Sequence, residues 1–338
     1  MIWLTWRQSR AAAAMMFVPL AVLAAILGLT GPGLAHKYSD GITACTPSCS
    51  SFVEHFKDDH LAWSLVLTTI VLVLPALIGL FWGAPLIPRE LEADTHRLVW
   101  NQSITRARWL AVKLSLGGLA AMTAAGLGSL AVTRWSIPID KTKAISPLLF
   151  AARGIAPIGY AAFAFVLGVT VGMLVRSTQP AMAITLVVYL AVQIAMPGLR
   201  VHFSQPTRST FEITASNLYA LEPSGEGHIN VIVKAPEWGA WIPSKNIVDK
   251  SGDNVDDIPL SRSSGPCAFG QPLNRFPGFE PADRSACVAE IKWLGYQEQM
   301  IYHPSSRFWL FQWYETGIYT ALTLGLAGFC FWWIRRLS

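Results

Sequence analysis

Six stretches of this chain contain no Asp, Glu, Lys or Arg: Ala11–Ala35, Leu61–Pro88, Leu114–Thr133, Gly154–Val175, Ser177–Leu199 and Thr316–Ile334. A bilayer core about 30 Å thick is crossed by roughly 20 apolar helical residues, and each stretch is about that long. Lipid offers the backbone no hydrogen bonds, so each must be helical. Charged residues make up 14% of the 338 and hydrophobic ones 52%, against about 25% charged in soluble domains. That balance excludes a disordered chain, a coiled coil and an ordinary cytosolic enzyme. The expected fold class is mainly α, a polytopic membrane protein with six transmembrane helices.

The first apolar run follows a positive start, but it is longer than the 7–15 residues of a signal-peptide core and no small-x-small cleavage site closes it. It is therefore expected to stay as an anchor. Residues 1–10 read as an interfacial amphipathic helix, with Ile2, Trp3 and Trp6 on one face and Arg7 and Arg10 towards phosphate. The fourth and fifth spans are separated by little more than Arg176, Ser177 and Thr178, and Pro180 suits a helix start. A tight hairpin with Arg176 at its tip is expected there.

Orientation follows the Lys and Arg of short loops. With the N-terminus inside, the inner segments hold ten such residues and the two short outer loops six. Both termini are then cytoplasmic, and Trp332, Trp333, Arg335 and Arg336 form an aromatic and basic stop at the inner face. This topology puts Cys45, Cys49, Cys267 and Cys287 on one side, outside, where an even count suits disulfides. Cys45 with Cys49 and Cys267 with Cys287 is the simplest connectivity; the two other pairings remain open at this level. Cys330 lies within the last span.

Residues 200–308 are rich in Pro, Gly and Ser and read as a small α+β extracellular domain between the fifth and sixth helices. Strands are expected at Asn230–Lys234 and Ile247–Val248, and a helix from Ala282 to about His303. Asp249–Asp257 reads as an exposed acidic turn; Asp253, Asp256 and Asp257 lack the later bidentate Glu of a calcium loop. No His-Glu-x-x-His, Gly-x-Ser-x-Gly or Ser-x-x-Lys pattern occurs in the segment. His202, His228 and His303 are widely spaced, so no catalytic or metal site is expected. The chain thus divides into residues 1–10, five spans over 11–199 with a cytoplasmic loop at 89–108, the extracellular domain at 200–308, and a sixth span with a tail at 309–338.

The spans contain no charge, and Arg134, Arg153 and Glu315 sit at window edges, where snorkelling is cheap. A buried proton relay is not expected, and no Gly-x-x-x-x-Gly-Lys-Ser/Thr nucleotide loop occurs. If the protein does work, a partner supplies the energy. Gly117, Gly118, Gly126 and Gly128 of the third span, with nearby alanines, allow close helix approach, within the chain or between copies. Gln193 is the intramembrane polar group hardest to explain and is a candidate for a translocation path.

The loop after the second span begins Pro88-Arg89-Glu90-Leu91-Glu92, with acids in a first helical turn as the helix dipole favours. Leu91, Thr95 and Leu98 fall on one face. Here the sequence resembles the integral-membrane subunits of ABC exporters of the second type, also called type V. Glu90, Glu92 and Thr95 match their acidic-x-Glu-x-Gly-Thr element, with Asp94 in place of Gly. Ser103, Ile104, Thr105 and Arg106 match their Pro-(Ile/Val)-(Ser/Thr)-Arg element, with Ser103 in place of Pro. The start Trp3-Leu4-Thr5-Trp6-Arg7-Gln8 is similar to that of many actinobacterial permeases of this family.

The resemblance implies a permease subunit of an ATP-driven exporter in a bacterial plasma membrane, without catalysis of its own. It would dimerise, pass substrate between its two copies, and dock a separate ATP-binding subunit through Arg89, Glu90, Leu91, Glu92, Thr95 and Leu98. ATP and Mg would sit on that partner, with no cofactor in this chain; membrane lipid is a further partner and nucleic acid is not. A second class of function fits the residues too: a membrane sensor or immunity protein whose disulfide-bonded outer domain binds a ligand or peptide.

Overall fold

The computed structural model describes residues 2–45, 50–89, 105–140, 146–224, 228–234, 240–272 and 279–336. It divides into two compact units, one of residues 1–142, 146–203 and 308–338 and the other of residues 143–145 and 204–307.

The first unit is helical. Its long helices are α1 (Ile2–Ala44), α2 (Ser50–Ile78), α3 (Arg106–Asp140), α5 (Ala156–Val175), α6 (Thr178–Arg200) and α8 (Phe308–Ile334), and a one-and-a-half-turn helix, α4 (Pro147–Ala151), precedes α5. Among the described residues six helical segments are long and apolar enough to cross a membrane, and each overlaps one of the six charge-free stretches. The helix expected at the N-terminus runs directly into the first span: Ile2 onward is continuous with it in α1. Alanines at 11–14 supply uninterrupted helix propensity across the junction.

The spans are organised around α5, which is apolar on nearly every side and buried along most of its length. A helix of that kind belongs inside. It packs against α2, α3, α6 and α8. Against α2 the approach is unusually close. A π-helical turn, Gly79–Gly83, follows α2, with Ala84 N–H donating to Gly79 O at 2.8 Å. A Cβ on Gly168 of α5 would lie 2.5 Å from Gly79 O and 2.6 Å from Ala84 N, and one on Gly79 would lie 2.7 Å from Ala164 O. Gly83 and Gly172 make equally close backbone approaches, to Phe165 and Ala84 respectively, and Gly172 also meets the Pro88 ring. Backbone therefore meets backbone along four glycines. The small residues of α3 serve a contact within the chain: Gly117 faces the Phe165 ring of α5, and Ala121, Ala124 and Ala125 are buried in the same core.

The second unit holds two four-stranded antiparallel sheets. One has the order β1 (Thr207–Glu212), β8 (Gln297–His303), β4 (Trp241–Val248), β5 (Asn254–Val255). The other has the order β3 (Ile229–Val233), β2 (Leu218–Pro223), β7 (Phe279–Pro281), β6 (Phe269–Pro272). Leu218, Leu221, Val231, Ile247, Ile291 and Met300 are among its core residues. The first and last strands are neighbours, with Thr207 opposite Tyr302. The helix expected over Ala282–His303 is a correction: α7 covers only Arg284–Leu294, and the remainder forms β8. Asp283 Oδ1 accepts from Ser285 N and Ala286 N at 3.0 Å each, and Gly295 ends the helix at φ 85°. That left-handed turn is a glycine stop signal, after which Gln297–His303 alternates and pairs on both sides. Cys287 of α7 is bonded to Cys267. Cys45 is also disulfide-bonded, while Cys49 lies outside the described residues.

Glu298 of β8 is buried beside Ile247 and Phe211, and Oε2 has no hydrogen-bond partner among the described residues. Burial pushes its carboxyl up to about 7, partly offset by the nearby Lys245 ammonium. A raised folded value means the folded unit holds the proton more tightly than the unfolded chain. Stability should fall as pH rises from the ordinary 4.5 through about 7. Glu298→Gln should remove this fall, and thermal melts followed by tryptophan fluorescence at pH 5 and pH 8 check it. A second pair of variants tests the helix core. Gly168→Ala should cost about 1–3 kcal/mol, the usual penalty of overpacking, whereas Gly325→Ala, with open space around its Cβ position, should melt like the parent in detergent. Equal melting of both variants would contradict the close packing.

Candidate functional site

Inside the first unit, at the ends where α3 and α6 finish and α5 and α8 begin, polar side chains from four helices converge on the bend between α4 and α5. The bend is residues 152–155, where the chain leaves one short helix and starts a long one. A helix start leaves N–H groups without intrahelical partners. Here Gln312 of α8 supplies the acceptor: Oε1 accepts from Ile155 N at 3.0 Å and Ala156 N at 2.8 Å, and Nε2 donates to Phe150 O at 3.1 Å. Ser129 Oγ of α3 donates to Gly154 O at 2.9 Å. Gly154 sits at φ 66°, and a Cβ there would meet Gln312 Oε1 at 2.8 Å. Both the backbone conformation and the space require glycine.

One turn further into α8 lies Glu315, fully buried and paired with Arg200, the last residue of α6. The pair is bidentate, with Nε to Oε2 at 2.8 Å and Nη2 to Oε1 at 2.9 Å. Arg200 Nη1 also donates to Pro147 O at 3.3 Å, and its guanidinium lies 4.3 Å from the Phe150 ring centre. The Tyr160 hydroxyl of α5 donates to Glu315 Oε1, and Tyr160 meets Tyr319 edge-on at 4.7 Å. On the other side of the bend, Arg153 Nε donates to Asp140 Oδ2 of α3 at 2.9 Å, and Ser136 Oγ reaches the same oxygen at 2.8 Å. Arg153 Nη1 and Nη2 and Asp140 Oδ1 are buried with no hydrogen-bond partner among the described residues.

The expectation that Arg153 and Glu315 snorkel is therefore overturned. α8 starts eight residues before its charge-free window, so Glu315 lies two turns inside the helix. α6 runs on to Arg200, placed above in the outer domain. Exposed Trp313 and Trp332 mark two levels on α8, 19 residues apart. At 1.5 Å per residue that is about 28 Å, close to the hydrocarbon thickness. Glu315 lies just inside the Trp313 level, where an unpaired charge is costly and a paired one needs no water.

Most of these hydrogen bonds join one helix to another or to the bend, so the arrangement holds the helices in a fixed relation. Gln193, the expected path residue, stands apart from it: half-buried, it donates to Tyr189 of its own helix at 2.7 Å. Of the expected coupling residues only Arg89 falls within the described residues, exposed and with its N–H donating to Pro85 O at 3.3 Å. Glu90, Leu91, Glu92, Thr95 and Leu98 lie outside them. An apolar groove of about 470 Å³ on α8, lined by Ile318, Ala321, Leu322, Gly325 and Leu326, offers no polar group to orient a ligand. The site's sequence signal was an Arg and a Glu of opposite sign at matching ends of the last two spans.

Removing one partner should strand the other. Glu315→Leu is expected to cost about 3–5 kcal/mol, while Arg200→Met with Glu315→Leu should recover most of it. Melting temperatures in detergent check this; a double variant no better than the single one would contradict it.

No curated protein and no solved structure matches the chain. A family model described as ABC-2 membrane transporter related matches residues 17–200, which is more than half of the chain and runs from α1 to the buried Arg200. The chain is thus a member of the ABC-2 membrane transporter related family.

Proposed function

We propose that this chain is the permease subunit of an ATP-driven exporter in a bacterial plasma membrane, working with a separate ATP-binding subunit and a second copy of itself. The observation that carries this is the family match over five of six spans, in a family of membrane transport components. Both termini are placed in the cytoplasm and the second unit outside, supported by the excess of Lys and Arg at one end of the spans. ATP and Mg belong to the partner.

In this reading the loop around Glu90–Leu98 docks in a groove of the ATP-binding subunit, with apolar anchors and rim charges. Closure of the partner on ATP displaces the loop. The loop follows Pro88 and Arg89 in the chain, and Pro88 packs on Gly172 of α5. Backbone-to-backbone packing cannot absorb such a displacement by rotamer change, so α5 moves with it. Over its 20 residues, about 30 Å, α5 carries the movement to its other end, where Gln312, Tyr160 and Glu315 connect it to α8 and Arg200 connects that to α6. Substrate passes between the two permease copies.

The test is reconstitution of the chain with its ATP-binding subunit. Replacing Glu92 or Leu98 should leave folded yield and ATP hydrolysis in place while transport falls. Unchanged transport in both variants would contradict the docking role of the loop.

A further inference from the structure

Among the described residues two arginines are buried, and they differ in how they are satisfied. Arg200 uses all three of its nitrogens, on Glu315 and on Pro147 O. Arg153 uses one. Its side chain is 5% exposed, and only Nε has an acceptor, Asp140 Oδ2 at 2.9 Å. Nη1 and Nη2 are buried without a hydrogen-bond partner among the described residues, and so is Asp140 Oδ1. Ser136 Oγ donates to Oδ2 as well, so the unused acceptor capacity of the carboxylate lies on Oδ1. Guanidinium N–H groups kept from water without an acceptor are strongly unfavourable. These atoms call for a ligand with an acceptor for the two Nη groups and a donor for Oδ1.

Position and chemistry select that ligand. The bend that carries Arg153 is level with Gln312 and the exposed Trp313 of α8, at the aromatic level that borders hydrocarbon. α3 meets the bend at Ser129 and runs eleven residues further to Asp140, about 16 Å. Arg153 reaches along that stretch, so its guanidinium and Asp140 stand beyond the aromatic level, where phospholipid headgroups lie. The two Nη groups form the end of a planar fork that takes two oxygens of one phosphate side by side. A primary ammonium following that phosphate meets the carboxylate oxygen. The ion pair is neutral as a whole, which suits a zwitterion better than a net anion.

We propose that Arg153 and Asp140 hold the headgroup of a zwitterionic phospholipid with a primary ammonium. Phosphate oxygens accept from Nη1 and Nη2, and the ammonium donates to Asp140 Oδ1. The inference does not depend on the reading of the chain as a permease.

The test uses the full chain, purified in mild detergent and freed of lipid. It is titrated with dioleoyl phosphatidylethanolamine, dioleoyl phosphatidylcholine or dioleoylglycerol and followed by native mass spectrometry. The ethanolamine lipid should bind about tenfold more tightly than the choline lipid, whose quaternary nitrogen has no N–H to donate, the worth of one hydrogen bond to a charged group. Dioleoylglycerol, without phosphate, should bind more weakly than either. Asp140→Asn keeps an oxygen for Arg153 Nε but puts an amide N–H in place of Oδ1, so it should bind the two phospholipids equally. Arg153→Lys keeps a charge for Asp140 but has no fork, and should bind neither phospholipid better than dioleoylglycerol. Equal binding of the two phospholipids by the unaltered chain would overturn the proposal, whether or not a variant folds. Equal binding of all three lipids would overturn it too and leave the fork to water. Displacement of the ethanolamine lipid by inorganic phosphate would assign the fork to a soluble anion and likewise overturn it.

Discussion

A carboxylate and a guanidinium buried within the span of a membrane helix must satisfy each other or unfold their surroundings. Glu315 and Arg200 do so through two parallel hydrogen bonds, and the rest of the helical unit is built to make that possible. Tyr160 fills a further acceptor site of the carboxylate, Pro147 O takes a donor of the guanidinium, and Phe150 covers its face. The neighbouring Gln312 meets the N–H groups that the start of α5 leaves without intrahelical partners. Such pairs are seldom a gain in stability over well-packed apolar groups. What this one contributes is definition, since α5, α6, α8 and the bend after α4 can satisfy their polar atoms together in few arrangements.

The six spans were legible because exclusion of charge from hydrocarbon acts on each residue separately, and a run of about twenty such residues has few other meanings. The buried pair was not legible for the converse reason. Its partners are 115 residues apart, and each alone reads as an ordinary charge near a boundary. The burial of Gln312 was hidden similarly, because an amide that caps a helix elsewhere in the chain leaves no local signature. In the second unit, the alternation of Ile229–Val233 was readable, but β6 and β7 are short and contain Pro. The Ala282–His303 stretch is apolar at both helical and alternating spacing, and the boundary within it is set by the left-handed turn at Gly295, which one glycine in a sequence does not announce. The glycines of α3 could be read as a contact, though not with which helix.

α5 ties these elements into one mechanical part. At one end its glycines admit the backbone of the turn after α2; at the other its first amides rest on a side chain of α8. Between these ends it is enclosed on nearly all sides. Contacts between backbones and between saturated polar groups are stiff compared with those between flexible apolar side chains. A displacement at one end is therefore passed along the helix.

The pairing of β1 with β8 has a consequence for the history of such a chain. A domain that enters and leaves through adjacent strands asks of its host only two chain ends close together. The ion pair between the last residue of α6 and Glu315, two turns into α8, holds such ends without help from the insert. An ancestor could gain, enlarge or shed this domain in one step while its membrane helices stayed as they were. The second unit could then vary at a pace of its own, as a cassette carried by the helical frame.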